Sequence, residues 1–224
     1  MKRASKISVG EYYHVYNRGV EKRDIFLDTR DYARFLFAVL YFQSEVIFTN
    51  LGDYVRRYIK HRMFNVADTT RNEVCGARTV ELINFCMMPN HFHLTLKENL
   101  EGGISRYLQR IQNSYTKYFN TRRTREGHLF QGSFRAVHVE NNDLLLYLST
   151  YIHRNPSELQ RWRRNWEAYP WSSCSDYVQE NRWDGLLSPE IILDQFPARE
   201  YGRFVRSSIA KTTLHKDLLA DAEP

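Results

Sequence analysis

Aromatic and β-branched residues open the pattern: Tyr12–Asn17 reads as a strand, stopped by Arg18-Gly19. Tyr32, Phe35, Leu36, Val39 and Leu40 then recur at helical spacing, with Asp28 or Thr29 placed to cap them. From about Gln43 to Arg78 the period is lost. Asp53–Met63 can form a basic amphipathic helix and Asn65–Gly76 is polar and loop-like, so this stretch reads as an insertion or lid on the main fold. Order returns with an apolar strand at Val80–Met88, a Pro89-Asn90 turn and a second strand at His91–Leu96, the signature of a tight hairpin. After the break at Glu101-Gly102-Gly103, a helix is expected over Ile104–Phe119, with Ile104, Leu108, Ile111 and Tyr115 inward. Asn120–Gly132 is an arginine- and glycine-rich loop, and Phe134–Val139 a further strand in which Phe134, Ala136 and His138 share one side. Asn141 or Asn142 caps a helix over about Asp143–His153, with Leu145, Leu148 and Ile152 on one face.

The first six elements follow a β-α-β-β-α-β order. This predicts an α+β fold with a ferredoxin-like sheet, helices on one face, and a further helix after the last strand. We place one domain at residues 8–160, with the insertion at about 43–78. Residues 161–224 form a basic, tryptophan-rich C-terminal extension, helical and packed on that domain.

Composition narrows the class of protein. Of 224 residues, 42% are hydrophobic and 26% charged, enough to bury a core, and no run of about 18 apolar residues spans a bilayer. The basic start Met1–Lys6 is followed by no apolar stretch, so no secretory signal and no membrane partner are expected. Cys75, Cys86 and Cys174 are widely spaced and odd in number, which fits reduced thiols in a cytoplasmic protein. The net charge is +6, concentrated at Arg122-Arg123-Thr124-Arg125 and Arg161-Trp162-Arg163-Arg164, with Arg56-Arg57 and Lys60-His61-Arg62 behind them. With 14% aromatics this fits a polyanion partner, because guanidinium pairs with phosphate and aromatic rings stack on unpaired bases. A solvated basic surface has the same composition.

Candidate chemistry centres on His91-Phe92-His93. Alternate residues of a strand face one side about 6–7 Å apart, so both imidazoles can converge on one metal while Phe92 enters the core. Two ordinary polar positions on a half-exposed strand give the same pattern. Tyr151 and Asn155 lie four apart on one helix face. Tyrosine can be a covalent nucleophile, and an amide oxygen beside two imidazoles suits magnesium or manganese. Asn155-Pro156-Ser157-Glu158 is equally a start for a new helix, with Asn155 as its cap.

Four ordered motifs carry a resemblance. They are Tyr13-His14-Val15-Tyr16-Asn17-Arg18-Gly19, Met88-Pro89-Asn90-His91-Phe92-His93-Leu94, Gly127-His128-Leu129-Phe130-Gln131-Gly132-Ser133-Phe134 and Tyr151-Ile152-His153-Arg154-Asn155-Pro156. Together with Tyr169-Pro170-Trp171-Ser172-Ser173 they resemble, over residues 10–177, the REP-associated tyrosine transposases of the single-tyrosine HUH superfamily, which are IS200-like transposases. The resemblance implies His91 and His93 as the histidine pair, Asn155 as third ligand to Mg2+ or Mn2+, and Tyr151 as nucleophile. It implies single-stranded DNA as partner, often folded into a hairpin, and leaves monomer and homodimer both open. The stretch before the histidine hairpin is longer than in the compact family pattern, and Ser133 stands where a basic residue is expected.

The activity so implied is metal-dependent single-strand cleavage and rejoining through a 5′-phosphotyrosine. Arg18, Arg106 and Arg135 are candidate phosphate contacts, and His128 and Gln131 candidate DNA contacts in the basic loop. Tyr115 and Tyr118 compete with Tyr151 by residue type, but Tyr115 falls on an apolar helix face. His14 and His138 alternate with apolar strand neighbours and read as satisfied sheet histidines, and His153 lies off the Tyr151 face. A catalytically idle DNA- or RNA-binding relative is the alternative from another class. A zinc hydrolase is disfavoured because the strand histidines lack a nearby third His, Cys or carboxylate at ligand spacing. The relaxases and replication initiators of the same chemistry, by family resemblance, carry larger chains and further motifs.

Overall fold

Tyr12–Arg18, the first strand (β1), is held between two others in a computed structural model that describes residues 6–61, 68–197 and 200–208. The remaining strands are β2 (Val80–Met88), β3 (His91–Glu98) and β4 (Arg135–His138). They form one four-stranded sheet in the order β2-β3-β1-β4, every neighbour antiparallel. The helices in chain order are α1 (Thr29–Tyr41), α2 (Leu51–His61), α3 (Asp68–Gly76), α4 (Gly103–Arg123), α5 (Asn142–Arg154), α6 (Cys174–Val178), α7 (Glu190–Leu193) and α8 (Glu200–Ser207). This is the expected α+β sheet.

Strand alternation divides the work of the two faces. Phe85, Phe92, Leu94, Leu96 and Val15 are wholly buried and meet the apolar sides of α1 and α4, where Phe35 packs against Phe92 with ring centroids 4.9 Å apart. Ile104, Leu108, Ile111 and Tyr115 face inward from α4 as their spacing predicts. The opposite face is covered by α5, which packs on β2 and β3. The C-terminal segment closes the outer edge of β2: Met87 N donates to Trp171 O at 2.9 Å and Ser173 N to Phe85 O at 3.0 Å. An otherwise open edge is thereby paired.

Caps set the helix ends. Asp28 accepts from the amides of Arg30 and Asp31 at the start of α1, and Asn141 accepts from Leu144 N at the start of α5. The start of α4 is capped from a distance: the buried Glu98 carboxylate, at the end of β3, accepts from Gly103 N at 3.1 Å and Ile104 N at 2.7 Å. Gly103 is needed there, since a Cβ would sit 2.4 Å from Thr79 O. At its other end α4 runs past Phe119 to Arg123, where a loop was expected, because Arg122 and Arg123 both reach Asp28 and Asp31 on α1.

The segment before β2 departs from its sequence reading. Asp68–Gly76, read as loop, is helical: Val74 is buried and Arg71 reaches Asp184, so tertiary contact supplies what a polar sequence lacked. The predicted basic helix is α2, ending at His61; its expected continuation to Met63 lies outside the described residues. Leu51 and Val55 are buried as α2 packs on α1, and Tyr41, Phe48 and Tyr54 stack in sequence at 4.4 and 5.2 Å. Within this insertion α2 therefore thickens the α1 layer, while α3 packs against Asp184–Leu186. No described helix is long and apolar enough to cross a membrane, and the three cysteines are free thiols. Of the extension read at 161–224, residues 209–224 lie outside the described part.

Candidate active site

Residues directly opposite one another in neighbouring strands share a face. On the face toward α5 the register makes three rows: Met88, His91 and Arg18; Cys86, His93, Tyr16 and Arg135; Asn84, Thr95, His14 and Val137. His91 and His93 stand together there, ring centroids 4.9 Å apart and nearly perpendicular. Two imidazoles so placed can share one ion at nitrogen distances of about 2.0–2.1 Å.

Hydrogen bonds to the rings decide which nitrogen each can offer. Asn90 Nδ2 donates to Lys22 O at 3.2 Å, which turns Asn90 Oδ1 toward His91 Nδ1 at 2.6 Å. An amide oxygen only accepts, so His91 Nδ1 carries the proton and Nε2 the lone pair. His93 Nδ1 lies 3.0 Å from His14 Nε2, with the two rings stacked and both residues buried. Both histidines are thus gripped through Nδ1, the arrangement in which Nε2 serves a metal.

Tyr151 comes to the same place from α5. Its ring stands edge-on to His93 at 5.6 Å and to His14 at 6.3 Å. It is 7% exposed, and burial first, then the charge of Glu158, pushes its phenol well above the ordinary tyrosine range. One turn on, Asn155 has helical backbone angles, and its Nδ2 donates back to Tyr151 O at 3.0 Å and Ile152 O at 3.4 Å. Those carbonyls demand a donor, so Oδ1 lies on the side of the amide away from α5. The turn Asn155–Glu158 packs against β2. Asn155 thus closes α5 and, keeping helical angles despite the proline after it, also opens the short 3-10 turn Asn155–Glu158 that the sequence suggested. Among the described residues no three His, Cys, Asp or Glu side chains converge on a metal-sized space; beside the two imidazoles, Asn155 offers an amide oxygen. The set of two imidazole nitrogens and one amide oxygen fits a divalent ion that keeps water or phosphate oxygens in its remaining positions.

The other candidates separate. Arg18 is the cross-strand partner of His91 and Arg135 of Tyr16, so both flank the histidine pair on one face. His128 and Gln131 are exposed on the segment after α4, which is stitched to the end of β1 by Val20 N to Leu129 O at 2.9 Å and Gln131 N to Arg18 O at 2.8 Å. Arg106 is elsewhere: it pairs with Glu45 at 3.2 Å near the start of α4, beside Glu98, and β3 carries that point roughly 23 Å from His91. Tyr115 and Tyr118 belong to the helical layer, donating to Ile25 O at 2.5 Å and Asp31 Oδ1 at 3.0 Å. His138 pairs with Glu11, and buried His153, held by Tyr201 and Ser173, stays neutral because burial pulls its pKa down to about 3.

Residues 40–155 match the family model of IS200-like transposases. The chain belongs to the IS200-like transposase family. That span is more than half of the sequence and contains the histidine hairpin, Tyr151 and Asn155. A solved structure of a REP-associated tyrosine transposase bound to a REP hairpin shares the fold, with TM-score 0.51 over 88% of this chain and 96% of that one at 14% identity. Among curated proteins none matches. Family and fold thus bear out the resemblance carried by the four motifs.

Two parts of this candidate site escaped the sequence reading. His14 was read as a satisfied sheet histidine, and it is satisfied, but by His93 itself. Asn90 was read only as a turn residue, yet it fixes the His91 ring. Parity along β1 put His14 and Tyr16 on one face; only the pairing of β1 with β3 said which face.

Proposed function

We propose that the chain is a metal-dependent single-strand DNA endonuclease and strand transferase, with Tyr151 as nucleophile and a 5′-phosphotyrosine as intermediate. The observation that carries this reading is the Tyr151 ring standing 5.6 Å from His93 on the face shared with His91. His91, His93 and Asn155 would hold Mg2+ or Mn2+, which when bound neutralises charge on the scissile phosphate and favours the phenolate. Arg18 and Arg135 supply cations on the same face for the flanking phosphates. For His93 to offer Nε2, its Nδ1–H donates to His14, which fixes the ring plane. Tyr151 attacks phosphorus in line, the P–O3′ bond breaks and the 3′-oxygen leaves. The phosphotyrosine keeps the ester energy, so a 3′-hydroxyl can attack it, release Tyr151 and join two strands without another energy source. The partner we read is single-stranded DNA carrying a hairpin, the state in which the structurally similar transposase was solved.

The test is adduct formation. With labelled hairpin DNA bearing unpaired flanks and Mn2+, the wild type should give a denaturation-resistant protein–DNA adduct that chelator prevents. Tyr151→Phe should abolish it while folding and DNA binding persist. Binding without any adduct would favour the alternative of a catalytically idle binding protein, for which the deep burial of Tyr151 is the supporting observation. An adduct surviving in Tyr151→Phe would move the nucleophile elsewhere.

A further inference from the structure

Glu21 and Lys22 are consecutive residues in the left-handed region of backbone space, at φ +55° and +59°. A side chain with a Cβ is strained there, and residues other than glycine, asparagine and aspartate seldom enter it, least of all in succession. Packing of the two side chains does not account for the conformation, since both are exposed. Main-chain bonds do. Lys22 N donates to Gly19 O at 3.0 Å and Arg23 N to Val20 O at 3.2 Å, so the chain doubles back between Gly19 and Arg23. Gly19 permits the close return, because a Cβ there would stand 2.2 Å from Arg23 O. The folded-back segment closes on the turn between β2 and β3, which leads into His91. Gly19 N donates to Asn90 O at 2.8 Å, and the amides of Ile25 and Phe26 donate to Pro89 O at 2.8 and 3.0 Å. Asn90 Nδ2 completes the closure by donating to Lys22 O at 3.2 Å. That last bond alone engages a side chain of the turn, and the same side chain holds His91 Nδ1 at 2.6 Å.

We propose that the left-handed pair Glu21-Lys22 is a positioning device for the metal site, held under strain so that the Lys22 carbonyl points at Asn90. The proposal rests on the metal-dependent reading above and deepens it. Strained backbone persists where the surrounding structure enforces it, and it gathers beside functional groups. Here the enforced element is one carbonyl. Aimed at Asn90 Nδ2, it leaves Asn90 Oδ1 for His91 Nδ1–H, and His91 Nε2 then faces the ion. Another conformation at Lys22 would redirect that carbonyl and free the Asn90 amide to turn over, so that His91 could present either ring nitrogen. Glu21 and Lys22 act through their backbone, and neither side chain needs to touch metal or DNA. What matters at these positions is therefore φ and not charge: glycine should serve there and valine should not.

The experiment is calorimetric titration of the full-length protein with MnCl2 in the absence of DNA, with a thermal melt to verify folding of each variant. Lys22→Val, whose β-branched side chain resists positive φ, should weaken Mn2+ binding about tenfold or more. Lys22→Gly should restore most of that affinity, although it too lacks the lysine charge, because glycine adopts the left-handed conformation without strain. The double variant Lys22→Val with Asn90→Ala should bind no more weakly than Asn90→Ala alone, since both changes cut the same link. Glu21→Val repeats the test one residue earlier if Lys22→Val folds poorly. Wild-type affinity in the folded valine variant, a loss in Lys22→Gly as large as in Lys22→Val, or losses that add in the double variant would overturn the device and leave the metal site standing. Absence of Mn2+ binding by the wild type would overturn the metal site and the device with it.

Discussion

Asn90 shows how much one side chain can settle. Its amide is oriented by Lys22 O and in turn leaves His91 one protonation pattern, with the lone pair on Nε2. Asn90→Ala should therefore weaken Mn2+ binding about 10- to 100-fold, the usual effect of losing a partner behind a ligand. Calorimetric titration of the metal checks this, and a thermal midpoint near that of the wild type would separate it from unfolding. Tyr151 gives a second expectation. Burial raises its phenol, so at neutral pH almost none is ionised without help. Adduct formation at fixed Mn2+ should quicken as pH rises from 7 to 9. A rate flat across that range would mean that ionisation of Tyr151 does not limit the step.

At the scale of elements, the join between β3 and α4 is the most exacting. Glu98 is wholly buried and accepts from two amides at the start of α4, where the helix dipole also favours a negative charge. Glu98→Ala should cost about 2–3 kcal/mol, since it strands two donors away from water, and urea unfolding measures it. A loss below about 0.5 kcal/mol, the range of ordinary surface changes, would show that water replaces the carboxylate. The same junction explains why α4 was legible only in part. Ile104, Leu108, Ile111 and Tyr115 gave its inner face by spacing alone, but its extension to Arg123 depends on acids of α1 distant in sequence.

Across the whole molecule, acid stability should turn on that meeting of α1 and α4. Partial burial pushes the Asp28 carboxyl up, but Arg122, the Asp31 amide and Arg123 outweigh it and hold it down to about 2. A carboxyl depressed when folded stabilises fully above its unfolded value of about 3.9, and that contribution is lost as pH falls through about 2. The urea midpoint should drop between pH 4 and pH 2, and Arg122→Ala should flatten that dependence. An equally steep drop in the variant would place the acid sensitivity elsewhere.

Periodicity by itself determined the β-α-β-β-α-β order of the sheet and its main helices, the hairpin that presents His91 and His93, and the helix that carries Tyr151. Those are local matters, set by side-chain alternation and helical spacing. Only the tertiary structure decided which strands are neighbours. The pairing of β1 with β3 brings His14 to His93, and the packing of α5 on the sheet brings Tyr151 over both. It also made Asp68–Gly76 helical through the burial of Val74 and the reach of Arg71 to Asp184. Contacts between residues far apart in sequence leave no period to read, because their partners are chosen by shape, burial and charge once the chain has closed on itself.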